Sequence, residues 1–278
     1  MRNRFLIYIV FAFQPLVAQI TPLPLGLPQY GFIQYDANQF EGVRNNPGYE
    51  ELFAKFDTLI RSGNNRINIV HIGGSHLQAD IYTHRIRQDL QSFYPGILGS
   101  RGFFFPYPLA KTNSPSNLKI TYAGEWLTSK NTEARPAFTL GLSGITAVLT
   151  SKTGALNIVS RYDSLQNYDF NRIRIYCNVT DSIVIPRIVP RELVEEVSVN
   201  SFGRYVQYTL SEYTDTLRLV IDQTDSTGAP FQLYGISLEN DDPGVVYSTI
   251  GVNGARFTSY LKCNLFRPQL SSLHPDWV

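Results

Sequence analysis

The sequence predicts an α/β protein interrupted by an all-β segment, and three observations carry this prediction. A short apolar run at 67–72 ends in Gly73-Gly74-Ser75 and leads into a helical pattern. Short alternating runs separated by turn signals fill residues 118–240. A further apolar run at 245–250 precedes a second glycine-containing turn. We therefore expect an α/β sandwich into which an all-β sandwich or jelly roll is inserted.

The composition excludes several classes of protein. Of 278 residues, 43% are hydrophobic and 17% are charged, which is typical of a folded chain with one large or two ordinary domains. The net charge of +1 gives no electrostatic case for binding nucleic acid or an anionic membrane. We expect neither partner.

The N-terminus has the pattern of a signal peptide over residues 1–19. Arg2 and Arg4 precede an apolar core at 5–13, and Val17-Ala18-Gln19 is a plausible cleavage region. The apolar core is shorter than the roughly 20 residues of a membrane-spanning helix. We therefore expect export, to a secreted or periplasmic location, without stable membrane insertion. Residues 20–47, rich in Pro, Gly, Gln and Asn, are predicted to be an extended lead-in.

The first part of the α/β domain is assigned to residues 48–117. A helix is predicted around residues 49–60, followed by the strand at 67–72 and a second helix from Asp80. The expected apolar face of the second helix is Ile81, Tyr82, Ile86, Leu90 and Phe93. A loop dense in Gly, Pro and aromatic residues follows, and Arg101 and Asn113 are its candidate substrate-binding residues.

The inserted all-β domain is assigned to residues 118–240, on alternating runs at 144–150, 172–178, 205–210, 216–221 and 231–237. The second part of the α/β domain, 241–278, begins with the strand at 245–250. A helical segment at 256–273 follows, with Leu261, Leu265, Leu270 and Leu273 as candidate core residues.

Ser75 lies at the carboxyl end of a predicted strand, where open α/β sheets place their chemistry. The glycine pair lets the backbone turn sharply and lets a substrate approach it. A serine held there can present its hydroxyl as a nucleophile and its own N–H to an oxyanion. On these residues alone, an ordinary strand-to-helix turn is the simpler interpretation.

Residues 71–80, HIGGSHLQAD, resemble the nucleophile block of the SGNH (GDSL) hydrolase superfamily, and specifically its secreted bacterial esterases. Residues 250–255, IGVNGA, resemble the superfamily's second block, and the segment around 101–110 is similar to the one after the first helix. The order of the parts resembles peptidoglycan O-acetylesterases with an inserted carbohydrate-binding-like β-sandwich. The resemblance implies an SGNH-type three-layer α/β sandwich, here truncated.

The resemblance also implies the site residues. Ser75 would be the nucleophile, and the N–H groups of Ser75 and Gly254 would be oxyanion donors. Gly74 takes the position of the family's usual aspartate, and Asn253 would contact substrate. The implied reaction is hydrolysis of an O-acyl ester of a glycan, or of a small ester, by acyl transfer without a metal or cofactor.

Two later blocks of the family, Gly-x-Asn and Asp-x-x-His, do not occur in this sequence. We do not expect the histidines present, His71, His76, His84 and His274, to replace the missing base. The chain is therefore predicted to be an incomplete or inactive esterase whose α/β part needs a further C-terminal segment or a partner.

Two alternatives stay open. One is a non-catalytic glycan-binding protein that uses Trp126 or surface tyrosines of the β-sandwich, and the other is a product with no activity of its own. Cys177 and Cys263 are expected to be buried free thiols, although pairing is open in an oxidising compartment. Neither cysteine has the spacing of a metal site.

Overall fold

The computed structural model describes residues 30–37, 46–160, 168–179, 184–224 and 228–278. The chain divides into two compact units, 1–45 and 46–278. In the first unit, the described residues form a turn and a short 3-10 helix, Tyr35–Ala37. The predicted signal peptide lies outside the described residues, as does most of the predicted lead-in.

The second unit begins with a helix, a strand and two further helices: α1 Pro47–Ser62, β1 Arg66–Gly73, α2 Ser75–Ala79 and α3 Ile81–Ser92. Asn46 caps α1 by accepting a hydrogen bond from Gly48 N–H, and Gly63 ends it in the left-handed conformation. Asp80, with φ of 52°, separates α2 from α3. The predicted helix at 49–60 and the predicted strand at 67–72 are confirmed.

A series of strands follows: β2 Gly102–Phe104, β3 Leu118–Ala123, β4 Trp126–Lys130, β5 Ile145–Leu149, β6 Thr153–Ser160, β7 Phe170–Cys177, β8 Arg187–Ile188, β9 Val194–Asn200, β10 Tyr205–Thr214, β11 Thr216–Asp222 and β12 Gln232–Glu239. The last elements are β13 Gly244–Gly251, a 3-10 helix Phe257–Lys262 and α4 Phe266–Ser272. All five alternating runs named from the sequence are strands.

The strands form three sheets. β1 pairs in parallel with β13, from Arg66 opposite Gly244 to Gly73 opposite Gly251, and forms one further parallel bridge from Ile69 to Trp277. A seven-stranded antiparallel sheet has the order β4-β5-β12-β7-β10-β9, with β2 also pairing with β12. A four-stranded antiparallel sheet has the order β3-β6-β11-β8. These two sheets share one apolar core, which includes Ile158, Leu219, Ile175 and Leu233.

The predicted three-layer α/β sandwich is wrong for this chain. The described residues are mostly antiparallel β-sheet, and only β1 and β13 are joined in a parallel ladder. Helices α1 and α3 pack on one face of that pair. On the other face, Val70 and Ile250 pack against Phe103, Tyr176 and Tyr234 of the seven-stranded sheet, beside the 3-10 helix and α4. Antiparallel sheet therefore covers most of the face where a second helical layer was expected.

The domain boundaries stay a prediction, although two observations bear on them. β2 lies in the segment assigned to the α/β domain, yet it pairs with β12 in the seven-stranded sheet. Residues 46–278 also form one compact unit.

The face that α3 buries was predicted wrongly. Its buried residues are Thr83, Arg87 and Gln91, which are polar and lie four residues apart. Of the expected apolar face, Ile81 and Tyr82 are exposed, whereas Leu90 packs against the core. The helix follows the predicted period, but hydrogen bonds to the sheet, rather than apolar area, decide which face turns inward.

Candidate functional site

Ser75 lies two residues beyond the end of β1 and is the first residue of α2. Its side chain is exposed, and neither its hydroxyl nor its N–H forms a hydrogen bond within the described residues. The turn that carries Ser75 is held in place by a hydrogen bond of 2.7 Å from the hydroxyl of Tyr260 to the carbonyl oxygen of Gly73. Ser75 therefore presents two unused polar groups to solvent from an anchored turn.

The Gly251–Gly254 turn lies directly against the turn that carries Ser75. A Cβ added to Gly251 would lie 2.3 Å from the nitrogen of Gln78 and 2.6 Å from the carbonyl oxygen of Gly74. Only glycine allows this approach. Gly254 has φ of +80°, and its N–H has no acceptor in the part of the chain that the structure describes. The two turns therefore carry two free N–H groups on adjoining backbone segments.

Gly74, which was predicted to take the place of an aspartate, lies against the same turn. A Cβ there would be 3.1 Å from the carbonyl oxygen of Ala255, closer than ordinary van der Waals contact. An aspartate at position 74 would need the Ala255 backbone to move. The glycine is therefore matched to the close packing of the two turns.

A polar network joins these turns to the loop that follows β2. Gln78 is buried, and its Oε1 accepts a hydrogen bond from the N–H of Asn253 at 2.8 Å. Its Nε2 donates to Thr112 Oγ1 at 2.9 Å and to Asn113 Oδ1 at 2.8 Å. Asn253 Nδ2 also donates to Asn113 Oδ1, at 2.7 Å. Two predicted substrate-binding residues, Asn113 and Asn253, thus contact each other, and Gln78, which sequence reasoning missed, holds both.

Arg101 is not available to a substrate, so that prediction is corrected. Its side chain is only 2% exposed, and Nη2 pairs with Asp80 Oδ2 at 3.2 Å. Asp80 also receives two hydrogen bonds from Arg87, at 3.0 and 2.9 Å, and one each from Thr83 and Asn117. Arg101 therefore belongs to a buried ion cluster with Asp80, which lies between α2 and α3, and Arg87 of α3.

The charge state of the cluster follows from its geometry. Burial alone would raise the pKa of Asp80, but the guanidinium groups of Arg87 and Arg101 hold that pKa well below its usual range. Burial, followed by repulsion from Arg87, lowers the pKa of Arg101 to about 10. One buried carboxylate thus serves two buried cations, which makes Asp80 the central member of the cluster.

None of the four histidines of the chain forms a hydrogen bond with Ser75. His71 Nδ1 lies 2.6 Å from the hydroxyl of Tyr247, and burial lowers its pKa. His84 Nδ1 lies 3.0 Å from Asn117 Nδ2. His76 is exposed on α2. His274 contributes its backbone carbonyl to Asn68. Among the described residues, Ser75 therefore has no histidine hydrogen-bonded to it.

Trp126 and the two cysteines were also singled out in the sequence. Trp126 is half-buried against the core, with its Nε1 donating to the carbonyl of Ala123 and its ring 6.4 Å from that of Phe231. It is therefore not an open platform for a sugar. Cys177 and Cys263 are buried and unpaired, as predicted, and burial raises the pKa of each thiol to about 12.

Among the described residues, no group of three or more His, Cys, Asp or Glu side chains is arranged to hold a metal ion. Within the same residues, no helix is long and apolar enough to cross a membrane.

Comparison with known proteins gives one informative similarity. No protein-family model matches the chain, and no curated protein matches it. A solved structure described as "Peptidoglycan O-acetylesterase in action, 5 min" matches with a TM-score of 0.52 and 19% identity. The match covers 83% of this chain and 59% of the other, so this chain spans about three fifths of that structure's length. At this identity the similarity concerns the fold alone.

Proposed function

We propose that this chain carries the nucleophile and the oxyanion donors of a serine esterase that removes O-acyl groups from a glycan. The observation that carries the proposal is the contact between the Ser75 turn and the Gly251–Gly254 turn. Among the described residues, each turn holds one N–H without an acceptor, and the exposed Ser75 hydroxyl belongs to the same residue as the first of these N–H groups. Two such donors and a serine are the elements of acyl transfer.

In the proposed reaction, Ser75 Oγ attacks the acyl carbonyl carbon, and the N–H groups of Ser75 and Gly254 stabilise the oxyanion. The sugar hydroxyl then leaves with a proton, and the acyl group stays on Ser75. Water attacks this ester, releases the carboxylic acid and regenerates the serine. Gln78, Asn113 and Asn253 hold the two turns together, which keeps the donors in place.

We propose that the general base is supplied by polypeptide outside this sequence, because no histidine of this sequence is hydrogen-bonded to Ser75. A positioned base contributes about 10²–10⁴-fold in rate. The chain alone is therefore proposed to turn over slowly. A glycan substrate and a location outside the cytoplasm are proposed from the similarity to a peptidoglycan O-acetylesterase.

Imidazole can test the proposal by supplying the missing base. Hydrolysis of p-nitrophenyl acetate is measured with and without imidazole, and the rate with Ser75→Ala is subtracted. We expect the Ser75-dependent rate to rise about tenfold or more with imidazole. Gly254→Ala keeps the N–H but strains a left-handed position, and it should lower that rate because the strained turn displaces the donor.

The matched control is Ser92→Ala, because Ser92 is an exposed helical serine that bonds only to the carbonyl of Gln88. It should leave the imidazole-dependent rate unchanged. Equal rates for the wild-type chain and Ser75→Ala at every imidazole concentration would refute the proposal.

A further inference from the structure

A cavity of about 150 Å³ lies between the β1–β13 pair and the seven-stranded sheet. Arg66, the first residue of β1, lines this cavity, whereas Ser75 follows the other end of the same strand. Arg172 and Arg174 of β7 line the cavity from the facing sheet. The cavity is therefore separate from the candidate active site, and three guanidinium groups contribute to its wall.

The carboxylates around this cavity only partly compensate its three cations. Glu239 accepts from Arg66 Nη2 at 3.1 Å and from Arg174 Nη1 at 3.3 Å, so one carboxylate serves both arginines. Arg172 pairs instead with Asp241, whose side chain is 56% exposed. Burial lowers the pKa of Arg66, the attraction of Glu239 opposes this, and repulsion from Arg172 and Arg174 lowers that pKa further. The wall of the cavity therefore carries excess positive charge.

The wall also holds hydrogen-bond donors that no described residue uses. They are Nε of Arg66, Nε and Nη1 of Arg172, and the hydroxyl proton of Ser248 on β13. Ser248 is 3% exposed, and its Oγ accepts from the N–H of Phe103 at 3.0 Å, which leaves the proton to be donated. Buried donors are normally satisfied by protein, water or a ligand. Donors from three strands thus line one cavity without an acceptor in the described part of the chain.

We propose that this cavity binds a small tetrahedral oxyanion of the phosphate class. Such an anion supplies both the negative charge that the wall lacks and acceptors for the unused donors. Because the donors belong to three different strands, they suit the four oxygens of a tetrahedron better than the single plane of a carboxylate. The volume holds only a few water molecules, which limits the ligand to a free ion or the terminal phosphate of a larger molecule. The inference does not depend on Ser75 being a nucleophile.

Two variants of the full chain test the proposal in opposite directions, with inorganic phosphate titrated by calorimetry at constant ionic strength. Arg172→Gln removes one cation and its donors, and we expect it to weaken phosphate binding about tenfold. Asp241→Asn removes the carboxylate that competes for Arg172, and we expect it to strengthen binding about threefold. The matched control is Arg218→Gln, because Arg218 is an exposed arginine of β11 outside the cavity. It should leave the affinity unchanged.

Absence of phosphate binding to the wild-type chain would overturn the proposal, as would equal affinities of the wild-type chain, Arg172→Gln and Asp241→Asn. Acetate bound as tightly as phosphate would also overturn it, because the site would then not select a tetrahedral anion. Glycerol phosphate, titrated in parallel, distinguishes the source of the ligand. Binding of both phosphates would support a site for a phosphate carried on a larger molecule, and binding of inorganic phosphate alone would support a site for the free ion.

Discussion

The two outer edges of the β1–β13 pair differ in how their backbone groups are satisfied. Along β13, the outward carbonyls of Val245, Tyr247 and Gly251 accept hydrogen bonds from the side chains of Gln91, Arg87 and Tyr107. Val245 also receives one backbone bridge there, from the segment at Ile97 and Leu98. Along β1, the backbone of Trp277 pairs with Asn68 and Val70, and the carboxylate of Asp276 accepts from Asn68 N–H. Buried polar side chains therefore satisfy most of the β13 edge, whereas backbone pairing dominates the described part of the β1 edge.

The largest expected effect comes from removing the carboxylate that holds Arg87 against β13. Asp80→Asn leaves the buried guanidinium groups of Arg87 and Arg101 without their counter-ion. Breaking a buried ion pair from one side costs about 3–5 kcal/mol, and we expect this loss in the free energy of unfolding at pH 7. Urea denaturation measures it. Asp89→Asn, in an exposed pair with Arg85, is the control and should cost less than about 0.5 kcal/mol. Equal losses in both variants would show that the cluster does not hold the β13 edge.

Acid should weaken the β13 edge through the same residue. The pKa of Asp80 is depressed in the folded chain, so its contribution is fully present above its ordinary pKa of 3.8. That contribution is lost as the pH falls below about 4. We expect the free energy of unfolding of the wild-type chain to fall more steeply between pH 5 and 2 than that of Asp80→Asn. Parallel pH profiles would contradict the depressed pKa.

A smaller effect is expected at Gln91, which donates to Val245 and accepts from the hydroxyl of Tyr168. Gln91→Leu keeps most of the volume but leaves a buried carbonyl and a buried hydroxyl without these partners. We expect a loss of about 1–3 kcal/mol in the free energy of unfolding, measured by thermal or urea denaturation. Ser92→Ala, one residue further on the exposed side, should lie within about 0.5 kcal/mol of wild type. A stabilised Gln91→Leu would mean that the edge does not need the side chain.

Local patterns in the sequence predicted the elements that apolar burial controls. The run at 67–72, the run at 245–250 and the alternating strands are hydrophobic because both faces, or one face, of each strand are covered. The positions of Ser75 and Gly254 at the ends of β1 and β13 followed from the same patterns. Their roles in catalysis stay predictions.

The features that the sequence did not predict depend on polar groups meeting across long separations. The burial of Thr83, Arg87 and Gln91 on α3 depends on their contacts with Asp80 and β13, which residue spacing does not show. Arg101, expected to bind substrate, is buried through its pair with the same Asp80. Gln78 stood three residues after Ser75 in the nucleophile motif. The helical spacing of residues does not show that Gln78 faces the loops rather than solvent.

The parallel pairing of β1 with β13 also has a kinetic consequence. Strands such as β9 and β10 are joined through a short connection and can pair early in folding. Arg66 can pair with Gly244 only after the intervening chain has been made. Bringing the two ends of that long segment together costs more entropy than closing a short hairpin loop. During synthesis, the segment bearing Ser75 leaves the ribosome long before Gly251 does. We therefore expect the two turns of the candidate site to be among the last parts of the molecule to meet.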